Sequence, residues 1–196
     1  MRRRKVPVTT GARQNLERFN VLPVADAESE LLTCCASRRW AAAVAGGRPF
    51  GDPAALLAAA ARELAGLDWQ DVLEALEAHP RIGERVAGQD RESAWSRGEQ
   101  SGMDAAAAEL RAAMIEGNRA YEARFDHVFL ICATGRSAAE MLGRLQARLG
   151  NDEDTERAVV RDELAKIVEL RLTKLLNEPR PAKDDAGLAE TTGDAV

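Results

Sequence analysis

The chain has 196 residues, a formal net charge of −5 and only 4% aromatic side chains, and alanine, leucine, glutamate and arginine dominate it. That length fits one domain with tails, and the composition, poor in β-branched residues, predicts an all-α, single-domain helical bundle. The acidic balance argues against a nucleic-acid partner. The lack of an apolar run of about 18 residues argues against a membrane-spanning helix. Three cysteines without a CxxC and two histidines argue against a structural metal site.

In chain order, residues 1–15 are basic and polar and read as a flexible tail. The Arg2–Lys5 run has no apolar core behind it and is not a secretory signal. Phe19 to Pro23 is an apolar patch expected at the domain edge. A helix is predicted over 25–45, with Leu31, Leu32, Cys35, Trp40 and Ala41 on its buried side, Cys34 and Cys35 serving as packing, and Gly46-Gly47 ending it. After the loop at Arg48–Gly51, Asp52 as N-cap and Pro53 in the first turn open a helix to about Leu64. Asp68 caps the next, in which Trp69, Val72, Leu73 and Leu76 share one face.

Residues 83–103, rich in glycine and charge, predict a loop with a short helix around Ser93–Arg97. Asp104 is placed to cap a long helix through Leu110, Met114, Asn118 and Tyr121 to Phe125. The run Val128-Phe129-Leu130-Ile131-Cys132-Ala133 reads as buried extended chain or helix, because no second strand candidate exists to pair with it. Ser137 and Glu140 form a capping box that opens a helix to about Leu149. Asn151 or Asp152 caps the last helix, which runs to about Leu176, and residues 179–196 read as a disordered polar tail. The folded domain is thus expected over residues 16–178.

Two side chains stand out. Continuing the spacing of the 68–78 helix puts His79 on its apolar side at the C-terminal end, where Pro80 stops the helix. The helix dipole there favours the imidazolium and burial opposes it, so a ring titrating near neutral pH, suited to acid–base work, is expected. The structural alternative is a core histidine bonded to a backbone carbonyl. Projecting the last helix at about 100° per residue drops Arg171 between Leu164 and Ile167, inside the apolar stripe. A buried arginine needs an anion, either a protein carboxylate or a substrate gripped from inside a pocket.

Three stretches, taken in order, carry a resemblance: Ala78-His79-Pro80-Arg81-Ile82-Gly83, then Trp95-Ser96-Arg97-Gly98-Glu99-Gln100, then Phe125 to Ser137. They resemble the HPxIG, SxxEQ and F-x-ICATGRSA-like motifs of the 2-oxo-4-hydroxy-4-carboxy-5-ureidoimidazoline (OHCU) decarboxylases of urate breakdown. Lys166 to Leu172, Cys34 to Ala41 and Arg48-Pro49-Phe50 resemble family features too, and the likeness covers about residues 16–178.

The resemblance implies a homodimeric all-α carboxy-lyase without metal or organic cofactor, acting on a small-molecule ureidoimidazoline to give (S)-allantoin, two steps after urate. It implies His79 and Glu99 as catalytic residues, Glu99 either holding the His79 tautomer or binding ureido N–H groups. Pro80, Ser96, Gln100, Phe129, Leu130, Ile131, Cys132, Ala133 and Arg171 are implied as substrate-binding. Family members in eukaryotes often end in a peroxisomal address; this chain ends Gly193-Asp194-Ala195-Val196, so a cytoplasmic bacterial member is expected. Two competing readings are a decarboxylase or hydrolase of a related ureide on the same scaffold and a non-enzymatic helical ligand-sensing domain.

Overall fold

A computed structural model describes residues 10–83, 91–101 and 108–178. Among them nine α-helices occur, and no strand: α1 (Thr10–Val21), α2 (Val24–Leu32), α3 (Arg38–Gly46), α4 (Pro53–Ala65), α5 (Trp69–Glu77), α6 (Arg91–Glu99), α7 (Ala108–Phe125), α8 (Ala138–Arg148) and α9 (Glu153–Asn177). The chain is all-α, as its composition predicts.

The helix starts follow the capping residues. The Asp52 carboxylate accepts the Ala55 amide at 2.8 Å with Pro53 in the first turn. Asp68 accepts from Asp71 N at 2.9 Å while Asp71 accepts from Asp68 N at 3.2 Å. Ser137 and Glu140 make the same reciprocal box at the start of α8, and Asp152 accepts the Thr155 amide at 2.8 Å. Each supplies an acceptor for an amide that the first turn of a helix leaves without one.

Some boundaries differ from expectation. Helix α1 begins at Thr10, inside the stretch read as a tail, because Ala12, Leu16 and Phe19 recur on one face and are buried. The single helix predicted over 25–45 is two helices. The break lies at residues 33–37, where Thr33 Oγ1 donates to Glu30 O at 2.7 Å and Ser37 caps α3 by accepting from Trp40 N at 3.3 Å. Cys34 and Cys35 are both buried there; on one helix two adjacent residues would face different ways, and the turn lets both point inward. The 93–97 helix extends over Arg91–Glu99. The predicted Asp104 cap, the glycine- and charge-rich stretch at 84–90, residues 1–9 and the tail from 179 lie outside the described residues.

Two apolar clusters fill the interior. The larger joins α1 to α5 and α9 around Trp40, Leu56, Leu64, Leu76, Leu164 and Leu172, and takes in Trp95 and Leu130. The smaller joins α7 and α8 around Met114, Tyr121, Met141 and Leu145, with Ile82, Phe129, Ile131 and Ala133. Helix α7 approaches α8 closely at Gly117, where a Cβ would lie 2.6 Å from Leu145 Cδ2. Below the smaller cluster the Arg148 guanidinium, the Asn151 amide and the Tyr121 hydroxyl all donate to Glu156. That satisfies a carboxylate with no solvent exposure. The segment 128–133 runs extended between the two clusters. It is the element that the sequence left open between extended chain and helix.

Candidate active site

A pocket opens at the seam of the two clusters. Its walls are His79, Pro80 and Ile82 after α5, Ser96, Glu99 and Gln100 at the end of α6, Leu130, Ile131 and Ala133 of the extended segment, and Ile167 and Arg171 of α9. Four parts of the chain meet here, and three of them are the motif stretches.

His79 follows α5 immediately and is buried. Its amide donates to Leu76 O at 2.9 Å. Its Nδ1 lies 2.8 Å from Ala75 O. A carbonyl only accepts, so Nδ1 carries the hydrogen and Nε2 holds a lone pair. That Nε2 is buried and without a protein partner. Burial first, and the Arg171 charge second, pull the His79 pKa from 6.5 down to about 4, against the opposing pull of the Ala75 bond and Glu99. This corrects the expectation of a ring balanced near neutrality. The C-terminal dipole is outweighed, because desolvation acts on the whole ring while the dipole contributes only a fraction of a unit charge. At pH 7 the site holds a neutral imidazole with its basic nitrogen unoccupied.

The buried Arg171 finds its anion in Glu99. Its Nε donates to Glu99 Oε1 at 3.2 Å and its Nη2 to Oε2 at 3.0 Å, while Nη2 also donates to Ser96 Oγ at 3.1 Å. Lys174, one turn further along α9, adds its ammonium to Glu99 Oε1 at 3.2 Å and lies over the Trp95 ring. The hydrogen that fixes the His79 tautomer therefore goes to Ala75 O, and the Glu99 carboxylate is spent on two cations. The spacing of Ser96 and Glu99, three apart on α6, puts both on the face turned to α9.

Gln100 lines the pocket and also braces the loop beside it. Its side-chain oxygen accepts the Gly83 amide at 3.2 Å and its side-chain nitrogen donates to Pro80 O at 3.4 Å. Asn118 donates to Ile82 O at 2.9 Å. The loop after His79 is thus tied to α6 and α7, and Gly83 takes the φ of +87° that lets it turn away.

Of the extended run, Leu130, Ile131 and Ala133 reach the pocket. Phe129 packs instead against Tyr121 at 5.2 Å, and Cys132 points its amide away, to Glu163 Oε2 at 2.7 Å. Sequence reasoning missed Ile82 and Ile167 as walls, Lys174 as the second cation on Glu99, and Asn118 as a brace. The available signal for Lys174 was its place three residues after Arg171, on the same helical face. Among the described residues no group of three His, Cys, Asp or Glu side chains could hold a metal ion, and no helix is long and apolar enough to cross a membrane.

An all-α domain with a desolvated neutral imidazole and a carboxylate-braced arginine in one pocket has the make-up of a small-molecule enzyme domain. The family model for OHCU decarboxylase matches residues 20–173, and the chain belongs to that family. An OHCU decarboxylase from Amia calva is 35% identical over 141 residues, covering 71% of this chain and 81% of that protein. The uric acid degradation bifunctional protein TTL of Arabidopsis thaliana is 32% identical over 155 residues, or 77% of this chain, which spans 48% of that longer protein. An OHCU decarboxylase crystallised in the presence of (S)-allantoin superposes with a TM-score of 0.67 at 30% identity, covering 76% of this chain and 98% of that one. A solved (S)-allantoin synthase, at 17% identity, a TM-score of 0.60 and coverage of 82% and 53%, shares the fold.

Proposed function

We propose that this chain removes CO2 from OHCU to give (S)-allantoin, as a carboxy-lyase of urate breakdown. The observation that carries the reading is the pairing, in one pocket of a member of this family, of an unoccupied His79 Nε2 with the Glu99-braced Arg171.

The chemistry follows from the substrate. Its C4 bears a hydroxyl and a carboxylate, and its C5 is doubly bonded to a ring nitrogen. When the C4–CO2 bond breaks, its electron pair forms a C4=C5 double bond and the imine pair moves onto that nitrogen, which takes a proton from water. The substrate is its own electron sink, which is why we propose that no metal or organic cofactor takes part. His79 Nε2, neutral at pH 7, accepts the C4 hydroxyl proton and then returns it to C5 as the C4 carbonyl forms. A base fixed on one wall delivers to one face, so a single enantiomer results. Arg171 grips the substrate carboxylate or a ring carbonyl, while Glu99 and Ser96 hold the guanidinium in place for it. The Ile131 and Ala133 amides and the apolar side chains of Leu130, Ile131 and Ala133 form the opposite wall, and Pro80 and Gln100 fix the loop that carries His79.

We further propose that residues 16–178, with the start of α1 added, act as one domain between a basic N-terminal and a polar C-terminal tail, that two copies associate as a homodimer, and that the protein works in the cytoplasm. Neither a nucleic acid nor a membrane is a partner in this reading.

The test generates OHCU from urate with urate oxidase and hydroxyisourate hydrolase, adds the protein, and follows optically active allantoin by circular dichroism. Fast appearance of the (S) product with wild type and only the slow racemic background with His79→Ala is the expected result. No acceleration by folded wild type would refute the function. Acceleration that survives His79→Ala would keep the function and refute the mechanism.

A further inference from the structure

The 130–133 segment is an extended chain with no strand beside it among the described residues. Its backbone groups therefore cannot be satisfied by a sheet ladder, although it is buried. Charged side chains take the place of a neighbouring strand on one edge. Arg148 Nη1 donates to Leu130 O at 2.7 Å, Glu163 Oε2 accepts the Cys132 amide at 2.7 Å, and Arg136 Nε donates to Cys132 O at 3.0 Å.

In an extended chain successive residues present their N–H and C=O groups to opposite edges. Leu130 and Cys132 share the clamped edge. Ile131 and Ala133 present theirs to the other. Both Ile131 and Ala133 line the pocket and Cys132 does not. Among the described residues neither the Ile131 nor the Ala133 amide finds a protein acceptor, so these are donors left for a ligand. Glu163 is nearly buried, sits on α9 as Arg171 does, and is itself held by Lys166 at 2.6 Å. A charged acceptor makes a stronger bond than a carbonyl would, and it fixes the Ile131–Cys132 peptide, which lies between the peptides that carry the Ile131 and Ala133 amides.

We propose that Glu163 is a positioning residue for the decarboxylation: by holding the Cys132 amide on the outer edge, with Arg136 on the same residue's carbonyl, it turns the Ile131 and Ala133 amides into the pocket to fix the substrate ring. Glu163 touches no substrate and acts through the backbone. The inference rests on the functional reading above. Arg171 grips the substrate independently of this clamp, so loss of the Glu163 acceptor leaves substrate binding and spoils ring orientation. Misplacement of about 1 Å is enough to cost roughly a hundredfold in rate.

The experiment measures steady-state kinetics of the full chain as wild type, Glu163→Leu, Glu163→Gln and Arg136→Met, with far-UV circular dichroism and the thermal midpoint of each. Glu163→Leu removes the acceptor at similar volume. It is expected to lower kcat at least tenfold with KM changed less than about threefold. Glu163→Gln keeps an oxygen for the Cys132 amide and is expected to stay within about threefold of wild type. Arg136→Met, at a half-buried position, is expected to fold and to lower kcat in the same direction as Glu163→Leu. A purely structural role would lower the thermal midpoint of Glu163→Leu and leave the kcat of the folded protein unchanged, which would overturn the proposal. So would a Glu163→Gln as impaired as Glu163→Leu. Should Glu163→Leu not fold, an unchanged kcat in Arg136→Met overturns it. A wild type without turnover sinks the functional reading and this one together, whereas an active wild type beside an unimpaired Glu163→Leu sinks this one alone.

Discussion

Acid should weaken this protein through His79, and the size of the effect can be worked from the site. In the unfolded chain the ring takes a proton below 6.5; in the fold it resists until about 4, mainly because it is desolvated and secondly because Arg171 is near. Protonation therefore favours the unfolded state. The stability is whole above pH 6.5, declines between 6.5 and 4, and is level again below 4 as far as His79 is concerned. At about 1.36 kcal/mol per tenfold change in proton affinity, the loss across that window is roughly 3 kcal/mol, a large share of the 5–15 kcal/mol typical of a domain. Glu156 and Glu163 also lose stabilising ionisation in acid, because their hydrogen-bonded cations hold their carboxyls below the usual range against burial. The His79 share is isolated as the difference between wild type and His79→Gln. Urea unfolding followed by tryptophan fluorescence at steps from pH 7.5 to 4 would show that difference shrinking by roughly 3 kcal/mol. Kinetics should agree, with the acid limb of kcat/KM well below 6.5. A difference that stays flat across the window, or an acid limb at 6.5, would refute the buried neutral imidazole.

Other perturbations probe the supports of the site and core. Glu99→Ala takes the bidentate carboxylate from the buried Arg171 guanidinium, and a cost of about 3–5 kcal/mol in urea unfolding is expected; a loss under about 1 kcal/mol would mean that Arg171 is satisfied without Glu99. Tyr121→Phe removes one donor from Glu156 and leaves Arg148 and Asn151 bonded to it, so about 1 kcal/mol is expected, read from the same unfolding curves. Gly117→Ala forces a methyl to 2.6 Å from Leu145, whose side chain is fully buried. Overpacking of about 1–3 kcal/mol should exceed the roughly 1 kcal/mol gained in helix propensity, and thermal unfolding should show a net loss.

How far the sequence could be read depended on whether a feature is local. The helix starts at Asp52, Asp68, Ser137 and Asp152 were legible because a cap is a contact between residues three apart. Arg171 was visible because a cation within a leucine stripe breaks a periodic pattern. Its partner was not, because Glu99 lies across the fold and nothing within α9 names it. The His79 ring was placed correctly in sequence and wrongly in protonation: its balance of dipole against burial is decided by how completely α6, α9 and the 130–133 segment cover it. The 25–45 region failed for a local reason that periodicity hides, since Leu31, Cys35, Trp40 and Ala41 are buried whether or not the helix breaks at Thr33. The assignment of Phe129 and Cys132 to the pocket treated a contiguous motif as a contiguous surface, whereas Phe129 is drawn to the Tyr121 ring and the Cys132 amide to Glu163.

The charges in the pocket suggest why the proposed reaction runs to release. Arg171 and Lys174 both bring positive charge to the Glu99 side of the pocket, and His79 stays neutral opposite them. A substrate carboxylate that reaches the guanidinium pairs with it, and in a desolvated pocket that pairing is worth far more than at a surface. Its arrival also offsets the Arg171 field on His79, one of the two causes that depress the ring, so His79 becomes a stronger base only once substrate is bound. Loss of CO2 then removes the negative charge that was gripped. A neutral allantoin cannot give the guanidinium the charge that the departed carboxylate supplied, Arg171 keeps its bonds to Glu99 and Ser96, and the product is held less tightly than the substrate was.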